Sequence, residues 1–135
     1  MPHRLKARDV MTSKLITVNA ETRLEEAVRL LIEHRISGIP VVDTQQRLLG
    51  MITEKDVLRI LYEEPGSLKT VADLMTRRLR TFQADDPLES VVDCLMANHF
   101  RRVPVLEGER LVGLISRADL MGTILDVARE RLGKE

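Results

Sequence analysis

The sequence carries the same pattern twice, and this duplication constrains the fold more than any other feature. Residues 7–61 and 71–124 align with an offset of 64 positions, which becomes 63 after a one-residue gap. Both copies open on Asp-x-Met-Thr, at 9–12 and at 73–76. Two similar units that pack together create a pseudo-two-fold axis and two related clefts. We therefore expect any binding function to lie in those clefts.

Each copy predicts five elements in the order β-α-β-β-α. Apolar residues at helical spacing indicate the helices, and short apolar runs bounded by turns indicate the strands. In the first copy the elements are expected at 15–18, 24–34, 39–42, 48–52 and from 54 onward. In the second copy they are expected at 81–82, 88–98, 103–106, 111–115 and from 117 onward. Thr22 with Glu25, and Thr53 with Asp56, fit capping boxes at helix starts.

These elements predict an α+β fold in which two β-α-β-β-α repeats pack about a pseudo-two-fold axis. We expect repeat 1 at 7–62, a linker at 63–70, repeat 2 at 71–126, and the end of the last helix with a tail at 127–135. A single repeat of about 55 residues would leave a large apolar face exposed, so the two copies should fold as a pair.

The composition is that of an ordinary soluble protein, with 44% hydrophobic and 31% charged residues. Lys plus Arg (21) equals Asp plus Glu (21), so overall charge favours neither nucleic acid nor an anionic membrane. Cys94 lies in a helical apolar pattern and is interpreted as a core thiol in a reducing compartment. No signal peptide or membrane-spanning run is recognised, and a cytoplasmic location is expected.

Neither catalysis nor nucleic-acid binding is indicated. No nucleophile, metal or phosphate-loop motif is present, and the three histidines fall in a tail (His3) or at predicted helix ends (His34, His99). Basic clusters occur at 77–80 and 101–102, but three aromatic residues are too few for a base-stacking platform. We therefore expect a protein that is not an enzyme, with nucleic acid an unlikely partner.

The paired hydroxyl and acidic residues Thr53 with Asp56 and Ser116 with Asp119 leave two interpretations open. A Ser or Thr followed three residues later by an acid is an ordinary helix cap. Alternatively, a helix start attracts phosphate, and a carboxylate in a cleft accepts hydrogen bonds from a ribose diol.

These motifs resemble the cystathionine-β-synthase (CBS) domain, and two in tandem resemble a Bateman module. The resemblance rests on the segments at 37–43 and 48–53, the Thr53-x-x-Asp56 pattern and the Asp-x-Met-Thr openings, and it covers nearly the whole chain. It implies a stand-alone pair that acts as a regulatory sensor and has no prosthetic group. It also implies that AMP, ADP or ATP, alone or with Mg²⁺, or else S-adenosylmethionine or NAD, binds in two clefts shared between the repeats.

Carried over residue by residue, the resemblance implies two nucleotide sites. In both, the aspartate holds ribose hydroxyls, the hydroxyl residue places phosphate or ribose, the threonine meets adenine or phosphate, and the aliphatic residue lines an adenine slot. The first site comprises Thr17, Ile39, Arg101, Arg102, Ser116, Arg117 and Asp119. The second comprises Thr81, Val103, Ser37, Thr53, Lys55 and Asp56.

The two predicted sites differ in charge. Arg101 and Arg102 stand where the first copy has Ser37 and Gly38, and Arg117 replaces a glutamate. The planar guanidinium fork suits phosphate oxygens, so we expect the Asp119 site to prefer phosphorylated adenosine. The other site has Lys55 but also neighbouring acids (Glu54, Asp85, Asp86), and should bind more weakly or take a less charged ligand.

The last helix, expected from Arg117 to Leu132, has more apolar positions than a one-sided contact requires. We expect a homodimer, as the resemblance also implies. A ligand-free structural or interaction module and a nucleic-acid-linked regulator using the basic cluster at 77–80 remain the alternatives. A regulatory module would also have a regulated protein as its partner.

Overall fold

The computed structural model describes residues 4–97 and 100–133, with side chains up to Arg131. His3, His99 and the predicted helix end at Asn98 lie outside the described residues, as does the Leu132 side chain. The chain forms two compact units, which we name after the aspartate that each contains. The Asp56 unit is Ile16–Leu79, and the Asp119 unit combines the residues up to Leu15 with those from Arg80 onward.

The Asp56 unit is built around one hairpin. Strands β1 (Gly38–Val42) and β2 (Leu48–Thr53) pair antiparallel, and Val18 forms a parallel bridge to Val41. Asp43 fixes the turn between the strands, because its carboxylate accepts the backbone N–H groups of Gln45 and Arg47. The helices are α2 (Leu24–His34), α3 (Glu54–Leu58), which continues as a 3₁₀ turn (Arg59–Tyr62), and α4 (Val71–Leu74).

The Asp119 unit repeats this plan with a longer final helix. Strand β3 (Phe82–Gln83) pairs parallel with β4 (Arg102–Glu107), which pairs antiparallel with β5 (Arg110–Ser116). The helices are α1 (Ala7–Val10), α5 (Leu88–Ala97) and α6 (Arg117–Gly133). The predicted α+β class is confirmed, and the predicted order of elements is found in the second copy. In the first copy the strand expected at 15–18 is wrong, because only Val18 bridges to β1. The short helices α1 and α4 were not predicted.

Each unit contains the opening segment of the other sequence copy. Thr12 forms an antiparallel bridge to Leu114 on β5, and Thr76 forms the equivalent bridge to Met51 on β2. The backbone N–H of Leu24 donates to the Lys69 carbonyl at 3.0 Å, so the opening of the second copy also caps α2. The openings are therefore exchanged between the copies.

Both cores consist of apolar side chains from the strands and the inner helix faces. The core cluster of the Asp56 unit consists of Val18, Leu24, Ala27, Leu31, Ile39, Val41, Ile52, Val71, Leu74 and Met75. The core cluster of the Asp119 unit consists of Ala7, Phe82, Ala84, Leu88, Val91, Cys94, Leu95, Val103, Val105, Ile115 and Leu120. Cys94 lies in the core, as predicted. Burial of a Val, Leu, Ile, Phe or Met side chain stabilises by about 1.5–3 kcal/mol, so these clusters hold each unit together.

The capping box predicted at Thr22 is wrong. Helix α2 begins after Arg23 without a side-chain cap, and the Thr22 hydroxyl bonds Asn19 instead. The cause is tertiary: the Lys69 carbonyl takes the N–H of Leu24, and the N–H of Val71 donates to the Thr22 carbonyl at 2.8 Å. The backbone at the helix start is thus satisfied by another segment of the chain.

Candidate functional site

Asp56 lies at the start of α3, where its carboxylate is held by three donors. Oδ2 accepts the backbone N–H of Thr53 at 2.9 Å and the Thr53 hydroxyl at 2.8 Å. Oδ1 accepts the hydroxyl of Thr76 at 2.9 Å. The backbone N–H of Asp56 returns a bond to the Thr53 hydroxyl at 3.3 Å, which completes a capping box.

Asp119 has the same environment at the start of α6. Oδ2 accepts the backbone N–H of Ser116 at 2.8 Å and the Ser116 hydroxyl at 3.1 Å, and Oδ1 accepts the Thr12 hydroxyl at 2.8 Å. The N–H of Asp119 donates to the Ser116 hydroxyl at 3.3 Å. The predicted cap interpretation therefore holds at both positions, and both aspartates are half-buried.

An ionised carboxylate offers about four lone-pair directions, of which three are used at each aspartate. The remaining one is on Oδ1. Each carboxylate thus retains one acceptor position for an incoming hydroxyl, and accepting two hydroxyls would require one of the existing donors to leave.

Thr12 and Thr76 were not among the sequence-predicted site residues. They are the last residues of the two Asp-x-Met-Thr openings, and both donate to a capping carboxylate. The signal that would have identified them is a hydroxyl at the same place in both copies. What the sequence did not indicate is the partner of that hydroxyl.

Arg102 is the predicted arginine that lies next to the hydroxyl residue of its unit. It pairs with Ser116 across the β4–β5 ladder, where the Asp56 unit pairs Gly38 with Thr53. Its guanidinium-bearing side chain therefore begins beside the Ser116 and Asp119 pair. The difference in charge between the two copies is thus located at the same end of both hairpins.

Arg101 and Arg117 lie on either side of this position. Arg101 is exposed just before β4, and Arg117 is the first residue of α6. One guanidinium N–H of Arg117 donates to the Leu95 carbonyl at 3.1 Å, near the C-terminal end of α5, where carbonyls lack helical partners. Within the described residues neither arginine takes part in an ion pair.

The counterparts in the Asp56 unit are less basic. Ser37 is half-buried, and its carbonyl accepts the backbone N–H of Glu54 at 3.0 Å. Lys55 is exposed on α3. Asp85, expected to add negative charge to the weaker site, is paired with Arg8 at 2.6 Å, and this pair lowers the pKa of Asp85.

Ile39 and Val103 are at equivalent places, on β1 and β4. Both are fully buried in their own units, with 0% of their surface exposed. In this conformation neither side chain is exposed to a ligand.

Thr17 and Thr81 are also equivalent, one residue before the segments that run parallel to β1 and β4, and both are half-buried. Thr17 lines a hollow of about 400 Å³ within the Asp56 unit, together with Glu26 and Asp43. Both carboxylates are paired with arginines, Glu26 with Arg29 at 3.3 Å and Asp43 with Arg47 at 2.7 Å. The structure thus distributes the predicted first site over both units: Thr17 and Ile39 belong to the Asp56 unit, and Asp119 to the other.

The described residues contain no group of three or more His, Cys, Asp or Glu side chains placed to hold a metal ion. No helix among them is both long and apolar enough to cross a membrane.

Comparison with known proteins identifies relatives that match both repeats of the chain. The CBS domain family model matches residues 7–63 and 71–126. The CBS domain-containing protein YhcV of Bacillus subtilis (strain 168) is 30% identical over 114 residues, covering 84% of this chain and 81% of YhcV. The chain spans only 41%, 13% and 23% of three other relatives, among them the A-adding tRNA nucleotidyltransferase of Geobacter sulfurreducens.

Two solved structures share this fold and contain adenosine compounds. The structure of CBSX2 in complex with AMP has a TM-score of 0.83 and 29% identity, covering 92% of this chain and 98% of CBSX2. The CBS domain pair of protein MJ0100, in complex with 5′-methylthioadenosine and S-adenosyl-L-methionine, has a TM-score of 0.73 and 28% identity, covering 97% and 98%. With a family model matching both repeats, this chain belongs to the CBS domain family and carries two copies of the domain.

Proposed function

We propose that the chain is a regulatory module that senses an adenosine nucleotide, AMP, ADP or ATP, as the free nucleotide or its Mg²⁺ complex. The observation that carries this proposal is the repeated arrangement around Asp56 and Asp119, in which a half-buried carboxylate keeps one acceptor position. A ribose hydroxyl is a fitting donor for that position. The adenosine ligands of CBSX2 and of the MJ0100 pair support the same ligand class.

The Asp119 position is proposed as the stronger phosphate-binding site. Arg102 extends from the residue opposite Ser116, and Arg101 and Arg117 flank it. The N-terminus of α6, a helix of 17 residues, adds a positive dipole end. At the Asp56 position glycine replaces Arg102 and glutamate replaces Arg117, so a ligand with less negative charge fits better.

The remaining predicted residues keep their proposed roles. Thr17 with Ile39 would serve the Asp119 site, and Thr81 with Val103 would serve the Asp56 site, as the family resemblance implies. Thr17 and Thr81 would meet adenine or phosphate. Ser37 and Lys55 would complete the Asp56 site.

The test is calorimetric titration of AMP and ATP into the wild type and into the matched variants Asp119→Asn and Asp56→Asn. Each substitution is nearly isosteric and alters an equivalent cap, so the two variants should lose similar stability. Asp119→Asn should weaken ATP binding more than Asp56→Asn does. If Asp56→Asn abolishes ATP binding while Asp119→Asn leaves it unchanged, the assignment of the stronger site is wrong.

A second candidate ligand is S-adenosylmethionine, which the MJ0100 structure favours; NAD belongs to the same screen. A ligand at about 100 times its Kd stabilises by about 2.7 kcal/mol, a shift of several degrees in Tm. A thermal-shift screen of AMP, ADP, ATP, NAD and S-adenosylmethionine therefore ranks them. No shift with any of the five would favour a ligand-free structural or interaction module, for which the completed capping boxes provide a sufficient structural reason.

We further propose that the chain forms a homodimer through exposed faces of its helices. The two copies leave the same apolar positions exposed: Ile32 and Met96 (71% and 73%), Leu58 and Met121 (58% and 56%), and Leu61 and Ile124 (79% and 54%). In the Asp119 unit an apolar groove of about 540 Å³ lies between α5 and α6. Contiguous exposed apolar surface marks interaction sites, and we propose that these positions contribute to one.

The proposed location is the cytoplasm, whose reducing conditions are compatible with the buried free thiol of Cys94.

A further inference from the structure

The hydroxyls of Thr12 and Thr76 lie in equivalent places and bond equivalent atoms. Thr12 donates to Oδ1 of Asp119 at 2.8 Å, and Thr76 donates to Oδ1 of Asp56 at 2.9 Å. In each case the threonine comes from the opening of one sequence copy and the aspartate from the other copy. The same bond is therefore formed twice, each time between an opening segment and the other copy. Helix capping does not explain it, because the capping bonds are made to Oδ2.

Oδ1 is also the oxygen that retains an acceptor position. Oδ2 is occupied by the N–H and hydroxyl of Ser116 in one unit, and by those of Thr53 in the other. The donors on Oδ2 already restrain the side-chain torsion, because rotation of the carboxylate would move Oδ2 away from them. The threonine bond adds a restraint on Oδ1 itself, so the direction of its one open lone pair is set more firmly.

We infer that Thr12 is a positioning residue for ribose recognition by Asp119, and that Thr76 has the same role for Asp56. The inference rests on the proposed function, because it takes a ribose hydroxyl as the donor to Oδ1. The threonine contributes indirectly, because it holds the carboxylate in place before the ligand binds. Ligand binding then does not have to order the carboxylate, and its free energy is more favourable.

The role can be tested because the opening segment does not depend on the hydroxyl for its place. The backbone N–H of Thr12 donates to the Leu114 carbonyl at 2.8 Å, and the N–H of Leu114 donates back at 3.0 Å. Met11 packs against the core beside this ladder. Thr12→Val keeps the shape of the side chain and these backbone bonds, so the variant should fold. Thr12→Ser keeps the hydroxyl and serves as the matched control.

The experiment is calorimetric titration in the Asp56→Asn background, so that the Asp119 site dominates the isotherm. AMP, 2′-deoxy-AMP and 3′-deoxy-AMP are titrated into the parent, the Thr12→Val variant and the Thr12→Ser variant. We expect Thr12→Val to weaken AMP binding about tenfold, as for the loss of one well-placed hydrogen bond. We also expect the preference for AMP over the weaker-binding deoxy analogue to shrink, and Thr12→Ser to restore both.

The ratio between AMP and its deoxy analogues separates positioning from a general loss of structure, which would weaken all three ligands equally. Equal or tighter AMP binding by Thr12→Val would overturn the inference, since it would identify Thr12 as a competitor of ribose rather than a support. An equal loss for all three ligands would also overturn it. If the wild-type chain and the parent bind none of the three, the proposed AMP-binding function fails, and the inference fails with it.

Discussion

Met11 packs directly over Gly113, although the two residues lie near opposite ends of the sequence. A Cβ atom at Gly113 would come within 2.5 Å of the Met11 Sδ and 2.9 Å of its Cβ. Gly50 has the equivalent relationship to the second opening, where an added Cβ would lie 2.6 Å from the Thr76 carbonyl oxygen and 3.2 Å from the Met75 Sδ. Met11 with Gly113 and Met75 with Gly50 are therefore equivalent contacts. Each joins the opening of one copy to a strand of the other copy.

Gly50→Ala should destabilise the protein by about 1–3 kcal/mol, because the methyl group meets a backbone carbonyl that cannot move aside. Gly113→Ala should have a smaller effect, at the lower end of this range, because much of the clash is with the flexible end of Met11. Urea unfolding followed by circular dichroism measures both.

Gly122→Ala is the matched control, since a Cβ there meets nothing within 4 Å. On the exposed helix α6 this change should stabilise by about 0.5–1 kcal/mol. Equal stability of wild type, Gly50→Ala and Gly113→Ala would show that the openings do not pack as described.

The longer helices and the two hairpins could be predicted from the sequence. The strand expected at 15–18 is reduced to one bridge, and the placement of each opening in the unit of the other copy could not be predicted. The caps at Asp56 and Asp119 depend on residues three positions apart, so the spacing alone identified them. The Thr12 and Asp119 bond joins residues 107 positions apart, and nothing in the duplicated pattern chooses between the same copy and the other. Thr22 was mispredicted for a related reason, because a backbone bond from a distant segment replaced a local cap.

The ion pair between Arg8 and Asp85 predicts a dependence of stability on pH. Hydrogen bonding and charge attraction from Arg8 lower the pKa of Asp85 below its ordinary value. The pair therefore stabilises the fold above the ordinary Asp pKa of about 3.9, and this contribution is lost as pH falls through the lower folded pKa. Thermal unfolding between pH 7 and pH 3 should show Asp85→Asn less stable than wild type at neutral pH, with the difference shrinking in acid.

Glu21→Gln at the equivalent position of the first copy is the control for this effect. Glu21 forms no ion pair within the described residues, so its pH profile should follow that of the wild type. Because the side chains of Arg8 and Asp85 are 43% and 69% exposed, 0.5 M salt should also reduce the difference between wild type and Asp85→Asn. A difference that persists unchanged at pH 3 would contradict the assigned pair.

Arg102 should determine how strongly phosphate contributes to binding. Arg102→Ser is expected to weaken ATP binding about tenfold or more and to leave adenosine binding nearly unchanged, because a charge-assisted hydrogen bond to phosphate is lost. The control is Arg110→Ser, which removes the same charge from the other end of the same hairpin, where Arg110 pairs with Glu107. Equal losses in the two variants would indicate a general effect of charge rather than a phosphate contact.

The exposed apolar positions predict a dimer that single charges disrupt. Leu58→Asp and Met121→Asp occupy equivalent places in the two copies, and both side chains are more than half exposed. Each should therefore convert a dimer at tens of micromolar to a monomer in sedimentation velocity, while the unfolding midpoint of the monomeric unit changes little. Asp126→Lys, a charge change at another exposed position of α6, should remain dimeric. A stable interface buries about 800 Å² of surface on each partner. A charge introduced within that buried area should therefore weaken the dimer strongly. A wild type that sediments as a monomer, or a Met121→Asp variant that stays dimeric, would exclude these helix faces as the interface.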